Sequence, residues 1–409
     1  MRDAAVTTRG YLEGYYGRLL DWPERHAILD TLAGLGMNAY AYAPKEDARH
    51  RLHWREPYEP AWREAFAAFC NEAAARGVSV IAGLAPGIDF DFAALADPSS
   101  EGGDAARTAR TGTARTDLAA ARDKLALLRA DGATRLMLLM DDIDPDFERR
   151  SGGLSSEGEA HARLANRLGE ALDASLIVVP RIYARELAVD APDYLSDFAR
   201  TLDARHAVSV CGRDIVSRTV HPRDCVLPGD DPGRETILWD NLYANDYCPR
   251  RLFVGPWSGR EGIDDVLLNA TGWPETDRLQ LALMAAGGDE ASARAVLAAH
   301  GVPPAFEFVR EVFRHPATND RIDAPLPALA ASGAVIAALD ELQWRWKTPL
   351  SREWYPHLMG LRQDLLYASG ELPRHRIVKT QTPPLARAMS GRAGSTRPAE
   401  PSGGQPTDR

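Results

Sequence analysis

Short apolar runs alternate along this chain with longer segments whose apolar residues recur at helical spacing. The aromatic, glycine-rich stretch Gly10 to Gly17 reads as a first strand and its loop. Asp21-Trp22-Pro23-Glu24 then supplies a cap, an early proline and an acid, and Ile28, Leu29, Leu32 and Leu35 mark a helix face that Gly36 ends. Ala39 to Pro44 predicts a second strand, followed by a polar loop with Lys45, Asp47, His50, His53 and Trp54 and a helix from Ala61 to Arg76. Val78 to Pro86 predicts a third strand, with Gly87-Ile88-Asp89-Phe90 just beyond its end. A helix over Asp117 to Asp131 leads into the apolar run Leu136 to Met140, which stops abruptly at Asp141-Asp142. Helices are predicted at Gly158 to Leu172 and Asp190 to Ala204, and strands at Leu176 to Tyr183, Ala207 to Cys211, Thr236 to Asp240 and Arg251 to Pro256.

Eight strand candidates, most separated by helical segments, predict parallel βαβ units. That number favours a closed (β/α)8 TIM barrel, an α/β fold, over an open doubly wound sheet. From about Thr276 the pattern is helical only. Leu279, Leu281, Leu283 and Met284, then Ala293, Val296 and Leu297, then Phe306, Phe308, Val309 and Phe313, then Leu329, Val335, Ile336, Leu339 and Leu342, supply faces for a C-terminal helical bundle that ends with Trp344 to Leu366. Two stretches lack periodicity: Asp97 to Thr116 predicts a mobile surface insertion, and the segment from about Val378 a disordered tail. The expected organisation is a barrel domain over 1–273, a helical domain over 274–377 and a tail over 378–409.

Composition narrows the function classes. The net charge of -10 provides no overall field to gather nucleic acid or an anionic membrane surface. Cys70, Cys211, Cys225 and Cys248 are scattered without metal-ribbon or disulfide-scaffold spacing. The first residues lack the apolar core of a secretory signal, and no run reaches the ~18 apolar residues of a membrane span, so a cytoplasmic location is expected. No glycine-rich nucleotide fingerprint occupies a strand-to-helix turn.

In a parallel barrel the working residues gather at the carboxyl ends of the strands. Gly14, Lys45, Asp89, Asp141, Asp142, Tyr183, Trp239, Asp240, Asn241 and Asp246 all fall there. A lone Asp at such a place is more often a helix cap than a catalyst, and two in succession bring the readings to even odds. Both can serve one site only where the strand is ending, because neighbouring side chains on a strand face opposite ways. Asp142-x-Asp144-x-Asp146 imitates the opening of a calcium loop, but Phe147 and Gly153 stand where glycine and glutamate belong. His50 and His53 have no second pair of zinc ligands, and hydrogen-bonding roles fit them better. An acid pair also suits glycoside chemistry. Adjacent carboxyls cannot easily straddle a sugar ring as nucleophile and acid, so their placement favours a substrate that brings its own nucleophile, such as an acetamido group. Tyr15, Tyr16, Trp239 and Tyr243 are candidate walls for a sugar, with a place in the core the commoner fate of each.

Six spaced motifs carry a resemblance: Gly10-Tyr11-Leu12-Glu13-Gly14-Tyr15-Tyr16-Gly17-Arg18, Gly36-Met37-Asn38 through Tyr42-Ala43-Pro44-Lys45-Glu46-Asp47, Trp54-Arg55-Glu56-Pro57-Tyr58, Ala85-Pro86-Gly87-Ile88-Asp89, Asp141-Asp142-Ile143-Asp144, and Trp239-Asp240-Asn241 through Ala244-Asn245-Asp246-Tyr247. In this order they resemble the catalytic domain of the O-GlcNAcase-type β-N-acetylglucosaminidases, glycoside hydrolase family 84. The resemblance implies a (β/α)8 barrel and exo-acting, retaining, substrate-assisted hydrolysis without a cofactor. Asp141 would orient the acetamido nitrogen so that its carbonyl oxygen attacks the anomeric carbon, and Asp142 would be the acid and then the base. Lys45, Asp246 and the Gly14 backbone are similar to family residues that read sugar hydroxyls. Tyr183, Trp239 and Asn241 are similar to those lining the acetamido pocket, and Asn269 to a further hydroxyl contact. Pro180-Arg181-Ile182-Tyr183 and Asn269-Ala270-Thr271 depart from the family's usual runs at those places. The implied partner is a protein or glycan bearing N-acetylglucosamine, with no nucleic acid or membrane, and the helical region is a possible site of oligomer formation. A non-catalytic N-acetyl-sugar-binding barrel, or a hydrolase of another N-acetylated glycan such as hyaluronan fragments, is the alternative.

Overall fold

Seven of the eight apolar runs become staves of a closed parallel barrel. In the computed structural model the described residues are 7–95, 116–143, 147–151, 153–229, 233–247, 252–314 and 330–371. The expected insertion, apart from Thr116, and the expected tail lie outside them, as do Asp144, Asp146 and Leu329. The strands are β1 (Arg9–Glu13), β2 (Ala39–Tyr42), β3 (Ser79–Leu84), β4 (Arg135–Leu139), β5 (Leu176–Val179), β6 (Ala207–Val210), β7 (Thr236–Asp240) and β8 (Val266–Asn269). Each pairs in parallel with the next, and β8 pairs with β1.

Side-chain caps open three of the connecting helices, while those at Pro60 and Tyr194 start without one, the latter four residues after the expected Asp190. In α1 (Trp22–Gly34), Asp21 and Glu24 close a reciprocal capping box with proline in the first turn. Next come α2 (Pro60–Ala75), α3 (Asp117–Ala130) with Thr116 as its cap, α4 (Glu157–Leu172) capped by Ser156, and α5 (Tyr194–Thr201). One residue in two along the strands faces inward. Leu12, Ala41, Ile81, Met137, Leu139, Ile177, Val179, Ile237, Trp239 and Leu267 meet there in a single buried cluster.

One strand falls elsewhere than expected. The run placed at Arg251 to Pro256 is not the eighth strand, which is Val266–Asn269. Leu252, Phe253 and Val254 are buried, as their apolarity predicts, but backbone partners there are side chains. The Phe253 carbonyl accepts from Gln280 Nε2 at 3.0 Å and the Gly255 carbonyl from the Tyr243 hydroxyl at 2.7 Å. Burial without a ladder is compatible with an apolar run and does not make it a strand.

The compact unit that contains the barrel continues beyond residue 273, to Val302, and so includes α6 (Pro274–Ala286) and α7 (Glu290–Ala299). A second unit gathers Leu252 and the described residues from Pro303 on, with α8 (Gly333–Trp344) and α9 (Pro349–Ala368). Its core sets Phe306 against Phe313 and Trp354, at ring-centroid distances of 5.7 and 5.1 Å. The face expected around Phe306 is carried by two short 3-10 helices, and Phe308 on the first of them is exposed. No described helix is long and apolar enough to cross a membrane.

The turn from β8 into α6 is organised by Asp277, which is fully buried. Its carboxylate accepts from Thr271 N and Oγ1, Gly272 N and the Tyr11 hydroxyl, at 2.6 to 3.0 Å. Burial outweighs these donors and pushes the carboxyl up to about 6. The folded state therefore holds this proton more tightly than the unfolded chain. The linked stability is full below the ordinary carboxylate range and is lost as pH rises through about 6. Asp277 is expected to make the protein about 2.5 kcal/mol less stable at pH 7 than at pH 4, relative to a chain without it. Urea midpoints of the wild type and Asp277→Asn across this range check the claim: the variant is less stable overall, having one acceptor oxygen for four donors, and its midpoint varies less with pH.

Candidate active site

Strand parity runs on past the strand ends and delivers the polar residues. Leu12 points into the barrel and Gly14 follows two positions on; Ala43 leads likewise to Lys45, Leu139 to Asp141, Trp239 to Asn241 and Leu267 to Asn269. All five arrive at one pocket of about 480 Å³ at the carboxyl ends of the strands. Asp142 breaks the alternation. Its φ of 51° is a left-handed conformation that costs a non-glycine residue on the order of 1 kcal/mol. This turn sends the second carboxylate into the same pocket as the first. Tyr183 and Asp246, from the loops after β5 and β7, complete the set, so that all nine residues to which the family resemblance assigned a role line one cavity.

Asp141 is buried and ion-pairs through Oδ2 with the equally buried Lys45 ammonium. Among the described residues its other oxygen, Oδ1, accepts no hydrogen bond. The same ammonium lies 3.8 Å from Asp142 Oδ2 and 5.4 Å from the centre of the Trp239 ring. Asp142 receives two phenols: Tyr183 donates to Oδ1 at 2.8 Å and Tyr16 to Oδ2 at 3.0 Å. Burial, with the nearby Asp142 charge, raises the Tyr183 phenol and pushes that of Tyr16 up to about 12, so both stay protonated donors at neutral pH.

The opposite wall is a polar relay. Trp239 Nε1 and Asn269 Nδ2 both donate to Asn241 Oδ1 at 2.9 Å, and Asn241 Nδ2 donates to the Ile215 carbonyl at 2.9 Å. Asn269 Oδ1 is buried and accepts nothing among the described residues. Between Trp239 and Asn241, Asp240 faces away from the pocket onto buried Arg260, whose Nε and Nη2 bind its two oxygens at 3.0 and 2.9 Å, and accepts from Trp257 Nε1 at 2.8 Å. Arg260 also donates to the carbonyls of Ser217 and Arg218, next to the pocket residues Ile215 and Val216. One guanidinium thus ties the β6 loop to the end of β7. Gly14 sits against the Trp239 ring, where a Cβ would come within 2.6 Å of a ring carbon. Asp246 Oδ2 accepts from the backbone N–H of Tyr16 at 3.0 Å, joining the β7 and β1 loops.

Other candidates go elsewhere. Asp89 accepts from Trp54 Nε1 at 2.7 Å and pairs with Arg55 at 2.6 Å, and it does not line the pocket. Tyr15 and Tyr243 are core residues, and of the three tyrosines proposed as walls only Tyr16 lines the cavity. His50 is buried against the Gly83 carbonyl and pushed down to about 4 by burial, a neutral structural ring, whereas His53 is largely exposed. The pocket residues Val179, Ile215 and Val216 were not foreseen, Ala244 and Tyr247 were read only as part of a motif, and Arg51, which reaches the Asp142 carbonyl from the β2 loop, was not singled out. The inward parity of Val179 after Ile177 was a usable signal for the first of these; loop residues have none.

A parallel barrel whose mouth holds a carboxylate pair, a buried lysine and an aromatic wall is of the class of barrel glycoside hydrolases. The family model described as beta-N-acetylglucosaminidase matches residues 9–286, and the chain belongs to that family. The proteins called Protein O-GlcNAcase from Rattus norvegicus and Mus musculus are each 26% identical to it over 257 residues, which is 61% of this chain and 26% of theirs. The chain thus spans about a quarter of the length of these curated relatives. A solved structure of a variant of the Thermobaculum terrenum O-GlcNAc hydrolase aligns over 94% of this chain and 87% of its own, with a TM-score of 0.68 and 20% identity, a likeness of fold.

Proposed function

We propose that this chain hydrolyses terminal β-linked N-acetylglucosamine by a retaining, substrate-assisted route. The observation that carries the reading is the state of Asp141. A buried carboxylate oxygen without a donor is costly, on the order of 1–3 kcal/mol, and such an atom in a pocket favours a ligand that brings a donor. The N–H of an acetamido group is such a donor. Lys45 keeps the other oxygen occupied while Oδ1 polarises that N–H.

The acetamido carbonyl oxygen then attacks the anomeric carbon as the glycosidic bond breaks, and the departing oxygen takes a proton from Asp142. In the second half Asp142 accepts a proton from water as that water opens the oxazoline, so two inversions leave the configuration retained. Trp239, Asn241 and Tyr183 enclose the acetamido side. Asp246, Asn269, whose Oδ1 accepts nothing among the described residues, and the Gly14 backbone face the hydroxyls. The name of the two mammalian relatives supports a sugar O-linked to protein as the natural substrate. The free thiols Cys70, Cys211 and Cys225 support a reducing compartment such as the cytoplasm.

An aryl β-N-acetylglucosaminide is expected to release its phenol, with the β-N-acetylgalactosaminide turned over more slowly because its axial hydroxyl meets the Asp246 side differently. No phenol from either sugar at any pH contradicts the proposal.

A further inference from the structure

We propose that Arg51 is a positioning residue that holds the acid Asp142 by its backbone directly and by its carboxylate through Tyr16. This rests on the reading of Asp142 as the proton donor. Asp142 stands in a left-handed conformation that an aspartate does not favour by itself. Its direction into the pocket therefore depends on whatever fixes its peptide. Arg51 Nη2 donates to the Asp142 carbonyl at 2.5 Å, and Nη1 donates to the Tyr16 hydroxyl at 2.6 Å. That hydroxyl in turn donates to Asp142 Oδ2 at 3.0 Å. The guanidinium carbon also lies 5.5 Å from the centre of the Tyr16 ring, a cation–π contact. One planar fork thus spans the backbone of the acid and the phenol that grips its side chain.

The fork is itself held. Arg51 is buried although it comes from a loop, and its N–H donates to the Asp47 carbonyl at 3.2 Å. The Asp47 carboxylate accepts from the hydroxyls of Tyr42 and Tyr58 and from the N–H of Arg49. The neighbouring His50 bonds both ways to the end of β3, its ring to the Gly83 carbonyl and its own carbonyl to the Ala85 N–H. The β2 loop is therefore a fixed platform from which Arg51 reaches across the mouth to the end of β4. Lysine is a point charge and cannot reproduce both bonds.

The test is a series of aryl β-N-acetylglucosaminides graded from dinitrophenyl to unactivated phenyl, run on the wild type, Arg51→Met, Arg51→Lys, Asp142→Asn and the Arg51→Met/Asp142→Asn double variant, with folding checked by thermal unfolding. For Arg51→Met the proposal expects kcat/KM on the phenyl glycoside to fall about 10- to 100-fold, the scale of a misplaced acid, with kcat/KM on the dinitrophenyl glycoside within about threefold. Arg51→Lys falls between. In the Asp142→Asn background, Arg51→Met adds no further loss, because there is no acid left to place. Equal losses along the whole series, or a full additional loss in the double variant, overturn the proposal, and should Arg51→Met not fold, Arg51→Lys decides by the same criteria. A wild type that releases no phenol from any member overturns the reading of the site and the proposal with it. An active wild type whose Arg51 variants respond equally to every leaving group overturns the proposal alone.

Discussion

Asp142→Asn is expected to lower kcat/KM on a phenyl β-N-acetylglucosaminide by about 10³- to 10⁴-fold, the upper part of the range for general acid catalysis, while the dinitrophenyl glycoside loses far less. The difference follows from what the acid does. A phenolate that is a poor leaving group needs its proton as the bond breaks, whereas a dinitrophenolate departs without one. The amide preserves the shape of the side chain and can still accept from one of Tyr16 and Tyr183, so folding is not the main casualty. The return step, in which the same carboxylate activates water, lowers kcat for every substrate but does not enter kcat/KM, which ends at release of the phenol. Steady-state rates along the leaving-group series check this, and equal losses on both ends would remove Asp142 from the role of acid.

Asp141→Asn is expected to behave differently, lowering kcat on activated and unactivated substrates alike by about 10²- to 10³-fold, as loss of one preorganised electrostatic partner does. The carboxylate acts on the nucleophile, which every substrate needs whatever it releases. The substitution also leaves the buried Lys45 ammonium without its ion partner, with Asp142 Oδ2 the nearest remaining carboxylate at 3.8 Å. A stability loss of about 3–5 kcal/mol is expected from that broken pair, readable as a lowered urea midpoint. Activity loss confined to poor leaving groups would assign Asp141 a role in proton transfer instead.

The parts of this molecule legible in the sequence are those decided locally. Capping at Asp21 and Glu24, the unbroken apolar run of β4 and the abrupt change from Met140 to Asp141 depend on neighbours within a few positions, and pattern reading finds them. Placing nine site residues in one pocket followed from strand order in a barrel together with the family motifs. What was not legible is decided by distant partners. Leu252 to Gly255 and Val266 to Asn269 are equally apolar, and only the second run meets β1 and β7 as ladder partners. The contact of Lys45 with Asp141, across 96 positions, and that of Arg51 with the Asp142 carbonyl, across 91, come from closure of the barrel. The left-handed turn at Asp142 belongs to the same group. Sequence parity alone would send its side chain away from that of Asp141, and the structure brings the two together by backbone strain.

The central claim is that the substrate's own acetamido oxygen is the nucleophile, with Asp141 behind it. The most direct measurement is kcat/KM on aryl β-glucosaminides whose N-acyl group is acetyl, fluoroacetyl, difluoroacetyl or trifluoroacetyl, on one leaving group. Each fluorine weakens the carbonyl oxygen as a nucleophile without changing the leaving group. The account predicts a steep, progressive fall across the series; a flat series, with the trifluoroacetyl sugar turned over as fast as the acetyl, would contradict it.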